Sequence, residues 1–195
     1  MANDCTFDAV VRGSKEEIDI FYKRCLKAQE NGKKTHSWWT YEVLKEHGYS
    51  TYAIEHRIGF IGGHLDNLGE PVKDGDEYFL TINMTTRWSP MITAFNRMLG
   101  NYTTLKAVYF AEEPGMGIYV NTDKSGRDFQ VEYCIEDYDE DGCGSEYFGS
   151  DEELIKFIKD VYGKDIKSLP PDNDAEIKIN KAKAICFHRF EKHYY

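Results

Sequence analysis

Apolar and polar positions alternate every second residue in "CTFDAVVRG", residues 5 to 13, and that period predicts an opening strand closed by Gly13. The period then changes. Ser14 and Glu17 form a capping-box pair, and Ile18, Phe21, Tyr22 and Cys25 follow at helical spacing, predicting a helix over 15 to 29. "HSWWTYEVLKEH", 36 to 47, reads as a second helix with Gly48 past its end, and 54 to 61 reads as a strand. "GGHLDNLGEPVKDGD" reads as a loop, because turn residues crowd it. "EYFLTINMTTRW" alternates again and predicts a strand. Ser89 then stands as the cap of a short helix with Pro90 at its first position, Trp88 as a staple into the core, and Met91, Ile92, Phe95, Met98 and Leu99 as the apolar face.

Three further strands, "LKAVYFAEE", "GIYVNT" and "FQVEYCIED", are separated by the turns "PGMG" and "DKSG", so a meander is expected. An acidic loop follows, then a second capping box at Ser150 and Glu153 and the amphipathic helix "LIKFIKDVYG". "SLPPDND" reads as a linker. The tail from Ala175 reads as a helix with Ile179, Ala182, Cys186 and Phe190 on one face, although "ICFHRF" also fits a strand. The order of elements predicts an α+β fold, with helices on one face of a mainly antiparallel sheet.

Length and composition add limits. A chain of 195 residues can bury a full core. Five cysteines, an odd number with no CxxC pair, fit a reducing cytoplasm rather than a disulfide framework. The opening "MANDCTFDAVVRG" has no basic start and no long apolar run, so no signal peptide is expected, and no run reaches the length of a membrane span. Charge changes the picture most. Residues 123 to 153 hold 12 acids and two bases, which is the whole net charge of −10, and the rest of the chain is balanced. A neutral body with one acidic region repels nucleic acid and attracts basic surfaces.

Several segments together resemble the YubB-type ferredoxin-like domain family of phage and plasmid proteins, to which the Api-like phage proteins belong. "MANDCTFDAVVRGSKEEIDIF" resembles the family's opening, "TTRWSPMITAFNRML" its strand-to-helix junction and "VYFAEEPGMGIYV" its hairpin. The resemblance covers roughly 1 to 30 and 77 to 162. Asp4 and Arg87 depart from its pattern. It implies a ferredoxin-like antiparallel sheet over 1 to 165, an inserted helical segment at about 31 to 76, and a C-terminal extension from 166 to 195. It implies origin in a mobile element and no reaction.

The chemistry-bearing motifs are few. Asp137, Asp139 and Asp141 followed by Gly142 imitate the start of an EF-hand loop, but the twelfth position, where a bidentate Glu belongs, is Phe148, and Glu146 comes two residues early. No HExxH, Walker or nucleophile-elbow motif occurs. No cofactor and no metal are expected. The acids are instead expected to form a surface that competes with nucleic acid for a basic groove. Glu136, Asp137, Asp139, Glu140, Asp141 and Glu146 are its candidate contacts, with Trp38 or Trp39 as a second anchor, since two adjacent helical tryptophans cannot both face one core. The expected role is an anti-CRISPR-like inhibitor in the bacterial cytoplasm, binding a nucleic-acid-binding defence effector and no nucleic acid itself. The alternatives are a small metal-dependent or hydrolytic enzyme with its site near His64 and Asp66, and a structural or regulatory phage protein.

Overall fold

Strand β1 (Asp4–Gly13) buries Cys5, Phe7, Ala9 and Val11 on one face, as its alternation predicts. The computed structural model describes residues 3–58, 62–139, 142–181 and 183–193. Helix α1 (Lys15–Thr35) follows and buries Ile18, Phe21, Cys25 and Ala28. Only half of its capping box forms. The Ser14 hydroxyl accepts from the Glu17 amide, but the Glu17 carboxylate accepts instead from the amides of Thr103 and Thr104, at 2.9 and 2.7 Å. A Cβ on Gly13 would lie 2.6 Å from the end of the Leu105 side chain and 3.1 Å from the Thr104 carbonyl oxygen, so a larger residue would make this corner shift.

Two short helices come next, α2 (Trp39–Glu46) and α3 (Thr51–Arg57). The strand expected over 54 to 61 is therefore corrected over 54 to 57, residues 59 to 61 lying outside the described residues: the Ser50 hydroxyl caps α3 by accepting from the Ala53 amide. The loop expected over 62 to 76 is also corrected. It holds β2 (Gly63–Leu68) and β3 (Val72–Asp74), both paired with the long strand β4 (Glu77–Arg87). Turn residues dominate this stretch, yet β4 offers it an edge to pair with. Helix α4 (Ile92–Leu99) starts after Met91, not after Ser89. Ser89 is held in a tight turn, its amide donating to Arg87 and its carbonyl accepting from the Thr86 hydroxyl, so it caps nothing. Strand β5 (Lys106–Glu113) lies beside β1 in the order β2-β4-β1-β5, and each neighbouring pair of these four is antiparallel. Phe95 of α4 packs on Phe7 and Tyr109 of this sheet.

The chain divides into two units, Met1–Ile118 and Tyr119–His193, and the division falls inside β6 (Ile118–Asn121). The sequence reading ended its first domain at 165. In the second unit, β7 (Tyr133–Asp139), β8 (Gly142–Phe148), β9 (Asp174–Lys178) and β10 (Ala184–Arg189) form an antiparallel sheet ordered β8-β7-β10-β9. Helix α5 (Asp151–Tyr162), capped by Ser150, contributes Leu154 and Ile158 to its core, with Ile135, Phe148, Ile177, Ile185 and Phe187 from the strands.

Two expectations fail here, and the tail takes the strand that was its second reading. The meander does not form, because β7 pairs with β8 and β10. Residues between β6 and β7 are pinned as a loop by two buried polar side chains. Asn121 donates to the carbonyls of Phe129 and Val131, and Asp123 accepts from the amides of Ser125, Asp128 and Phe129. The acidic loop is a hairpin, since Asp137 and Asp139 lie in β7 and Glu146 in β8. The tail is a hairpin too. Ile177 and Ile179, then Ile185 and Phe187, are buried at a period of two, whereas a helical face through Cys186 and Phe190 would bury neither Ile185 nor Phe187. Ala182, on that expected face, lies outside the described residues.

Among the described residues, no helix is long and apolar enough to cross a membrane.

Candidate functional site

The hairpin divides the predicted acids. Glu136, at 4% exposure, is buried and is not a surface contact: its carboxylate accepts from the Tyr119 hydroxyl at 2.8 Å. Asp137 is held within the chain by Lys183, at 2.6 Å, and by the Tyr162 hydroxyl, at 2.9 Å. The Lys183 ammonium is the main cause of a carboxyl pKa below the usual range. Asp139 ends β7, and Glu140 and Asp141 lie outside the described residues. Glu146 is exposed on β8, opposite Ile135 of β7.

Other acids of the region also serve the fold. Glu132 pairs with Lys192 at 2.8 Å, Asp151 accepts from the Tyr133 hydroxyl, and Glu153 accepts from the Gly149 amide at 2.9 Å. Among the described residues of the region, Glu146, Asp151, Glu152 and Glu153 are exposed, the last three forming the first turn of α5. Acids in a first turn also complement the helix dipole. Among the described residues, the exposed carboxylates of this region thus lie on β8 and at the start of α5.

The tryptophans separate clearly. Trp39 is 4% exposed, and its indole N–H donates to the Cys25 carbonyl, so it is a core residue and no partner anchor. Trp38 is half-buried. The His64 ring lies 4.4 Å from it, the Arg87 guanidinium 4.6 Å from it, and a Cβ on Gly62 would approach its indole to 3.0 Å. Trp88 reverses the staple expectation, being 47% exposed with φ at 68°. A bulky residue in the left-handed region is strained.

His64 and Asp66 stand two apart on β2 and are both exposed, which places them on the same face. Asp66 accepts from the Thr85 hydroxyl at 2.8 Å. Among the described residues, no three His, Cys, Asp or Glu side chains gather to hold a metal.

One constellation escaped the sequence reading. His188 on β10 hydrogen-bonds Asp174 of β9 through Nδ1 at 2.8 Å, while its Nε2 lies 3.7 Å from the Glu136 carboxylate. The Tyr119 ring stacks on the imidazole at 4.1 Å. Asp174 orients the ring and presents Nε2 to Glu136, and Nε2 is buried with no hydrogen-bond partner of its own. The imidazole thus lies between two carboxylates, one on β9 and one on β7. The signal was the alternation of Cys186 and His188 with Ile185 and Phe187, which is visible only if the tail is read as a strand.

No family model, no curated protein and no solved structure matches the chain.

Proposed function

We propose that the protein is a non-enzymatic binding protein, an anti-defence inhibitor whose acidic second unit occupies the basic groove of a host nucleic-acid-binding effector. The observation that carries this reading is the placement of exposed carboxylates at Glu146 and along the first turn of α5, within the segment that holds the whole net charge. A groove that grips phosphates through Lys and Arg gains much of its affinity from charge, and a row of carboxylates competes for the same cations. Glu146 and Glu152 are the proposed contacts. Glu136 and Asp137, spent on Tyr119 and Lys183, position the hairpin.

Strand order supports a ferredoxin-like reading of the first unit. The sequence β1-α1-β2-β4-α4-β5 with sheet order β2-β4-β1-β5 is the order that a split βαβ arrangement takes, and α2, α3, β3 and β6 are additions in that reading. The resemblance to phage and plasmid proteins rests on the same segments and supports a mobile-element origin. Four described cysteines are free thiols, which favours the cytoplasm.

The test is capture from a bacterial lysate by the full chain and by a Glu146→Lys, Glu152→Lys variant, with elution by added DNA. Nucleic-acid-binding proteins that are retained by wild type, displaced by DNA and lost by the variant support the reading. Capture that is indifferent to both DNA and charge reversal rejects it.

A further inference from the structure

Strand β8 is the outer strand of the second unit's sheet, and among the described residues no strand pairs with its far side. Its register with β7 runs without a break from Tyr133 opposite Phe148 to Asp139 opposite Gly142. The Phe148 carbonyl accepts from the Glu132 amide, so the backbone of Phe148 faces β7. Alternation along an antiparallel strand then turns the N–H and C=O of Ser145, three residues earlier, away from β7. The Gly149 amide follows the same alternation, since it donates to the Glu153 carboxylate. Gly144 to Tyr147 are consecutive exposed residues, and a Cβ on Gly144 would meet no heavy atom within 4 Å.

An open edge accepts a further strand unless lysine, proline, a bulge or shortness protects it. Two other edge strands of this chain are protected. β9 has five residues and carries Asp174, Glu176 and Lys178. β2 of the first unit has a break in register between Leu65 and Asn67. β8 has seven residues, with no proline, no lysine and one charge, Glu146.

The two sides of β8 ask for different side chains. Glu146 and Phe148 share the side that carries α5, since they lie opposite Ile135 and Tyr133 of the core and Phe148 packs on Phe157 at 5.0 Å. Ser145 and Tyr147 share the other side, where Tyr147 is 42% exposed. A strand laid along β8 sets one series of side chains beside Glu146 and the alternate series beside Tyr147. Cations suit the first series and apolar groups the second. The surplus of acids in residues 123 to 153 favours the same sign.

We propose that β8 is a docking edge for an extended segment of the effector, in which basic and apolar residues alternate, and that this segment joins the four-stranded sheet as a further strand. The inference rests on the reading of the protein as an acidic inhibitor and names the element of the effector that it grips.

The test is a titration of the full chain with a short labelled peptide of alternating lysine and valine, and with its counterpart N-methylated at every backbone nitrogen, read by fluorescence anisotropy. Methylation keeps the charge and the side chains and removes the backbone donors. The parent peptide is expected to bind at least about tenfold more tightly than the methylated one, the equivalent of one or two hydrogen bonds. Ser145→Pro is expected to weaken the parent peptide by a similar factor at an unchanged urea midpoint, because an outward-facing edge position tolerates proline. Ser145→Ala, which keeps the amide, is expected to bind as wild type. Glu146→Lys is expected to weaken both peptides. Equal binding of the two peptides, or no binding of either, overturns strand addition. If Glu146→Lys still weakens both equally, the acidic surface stands without the docking edge. Binding of the parent peptide that is indifferent to Glu146→Lys overturns the basic character of the segment and the acidic reading together. A dimer of the chain that Ser145→Pro converts to a monomer assigns the edge to a second copy and also overturns the proposal.

Discussion

The Tyr119 hydroxyl donates to the buried Glu136 carboxylate at 2.8 Å, so a residue at the start of the second unit supports the acid that its sequence neighbours made look like a surface contact. A hydrogen bond to a buried charged group contributes about 2 kcal/mol, and the penalty falls on the group left behind. Tyr119→Phe keeps the ring that stacks on His188 and removes only the donor. It is expected to lower stability by about 2 kcal/mol, seen as a lower urea midpoint at unchanged slope. Glu136→Gln keeps an acceptor for Tyr119 and is expected to cost less than Glu136→Ala. Loss of partner binding in a Glu136 variant would therefore follow loss of fold.

Asp123 gives a separate signature in acid. Burial pushes its carboxyl up, but hydrogen bonds from the Ser125 hydroxyl and from the amides of Asp128, Phe129 and Ser125 outweigh that and hold its pKa at about 2. In the unfolded chain the value is about 3.9. The unfolded state therefore binds more protons between these values, so the stabilisation is complete above the higher one and is lost as pH falls through about 2. The amount is about 2 kcal/mol. Asp123→Asn is expected to flatten the stability profile between pH 4 and 2, as followed by chemical denaturation.

His47 acts in a higher window. Its ring sits against Phe21 and Tyr102, and burial lowers its pKa to about 4, only partly opposed by the bond from Nδ1 to the Val43 carbonyl. The folded value lies below the unfolded value of about 6.5, so its contribution is complete above pH 6.5 and disappears as pH falls through 4. About 3 kcal/mol is at stake. His47→Phe is expected to remove the slope between pH 6.5 and 4 while leaving the Asp123 step in place. A profile that keeps its upper slope in the variant would assign that slope to another group.

How much of this was visible in the sequence depends on how far apart the partners lie. The β1–α1 passage was legible because a period of two gives way to a period of 3.6 within a few residues, with Ser14 between them. The capping of α5 by Ser150 was legible for the same local reason. Its capping box shares a departure with the first one: Glu153 turns to Gly149, as Glu17 turns to the Thr103–Thr104 loop. The contrast between Trp38 and Trp39 was partly legible, since neighbours on a helix diverge, but which one enters the core depends on Cys25 and Gly62. The group around Glu136 was not legible. Tyr119, Glu136, Asp174 and His188 meet through pairings of β7, β9 and β10, and no local pattern carries that register. The acids of the hairpin read as one surface for the same reason, because their basic and hydroxyl partners, Lys183, Lys192 and Tyr162, come from the tail and from α5.

Trp88 tests whether backbone strain is stored on the exposed side of the first unit. Its φ of 68° is borne by a large side chain that is 47% exposed, with its amide donating to the Asn3 carbonyl. Trp88→Ala removes the ring and keeps the penalty of a Cβ in the left-handed region. Trp88→Gly removes both, at the cost of a more flexible unfolded chain. Both variants give up the same indole packing, so the difference between them isolates the backbone. Left-handed strain of roughly 1–2 kcal/mol, less about 0.4–1 kcal/mol for the added freedom of glycine, leaves the glycine variant the more stable of the two by up to about 1.6 kcal/mol. Thermal and urea unfolding of the pair measure it. An alanine variant more stable than the glycine variant would mean that the segment from Arg87 to Ser89 relaxes out of the left-handed conformation once the indole is gone, so that the indole itself, and not the neighbouring turn, holds the backbone there.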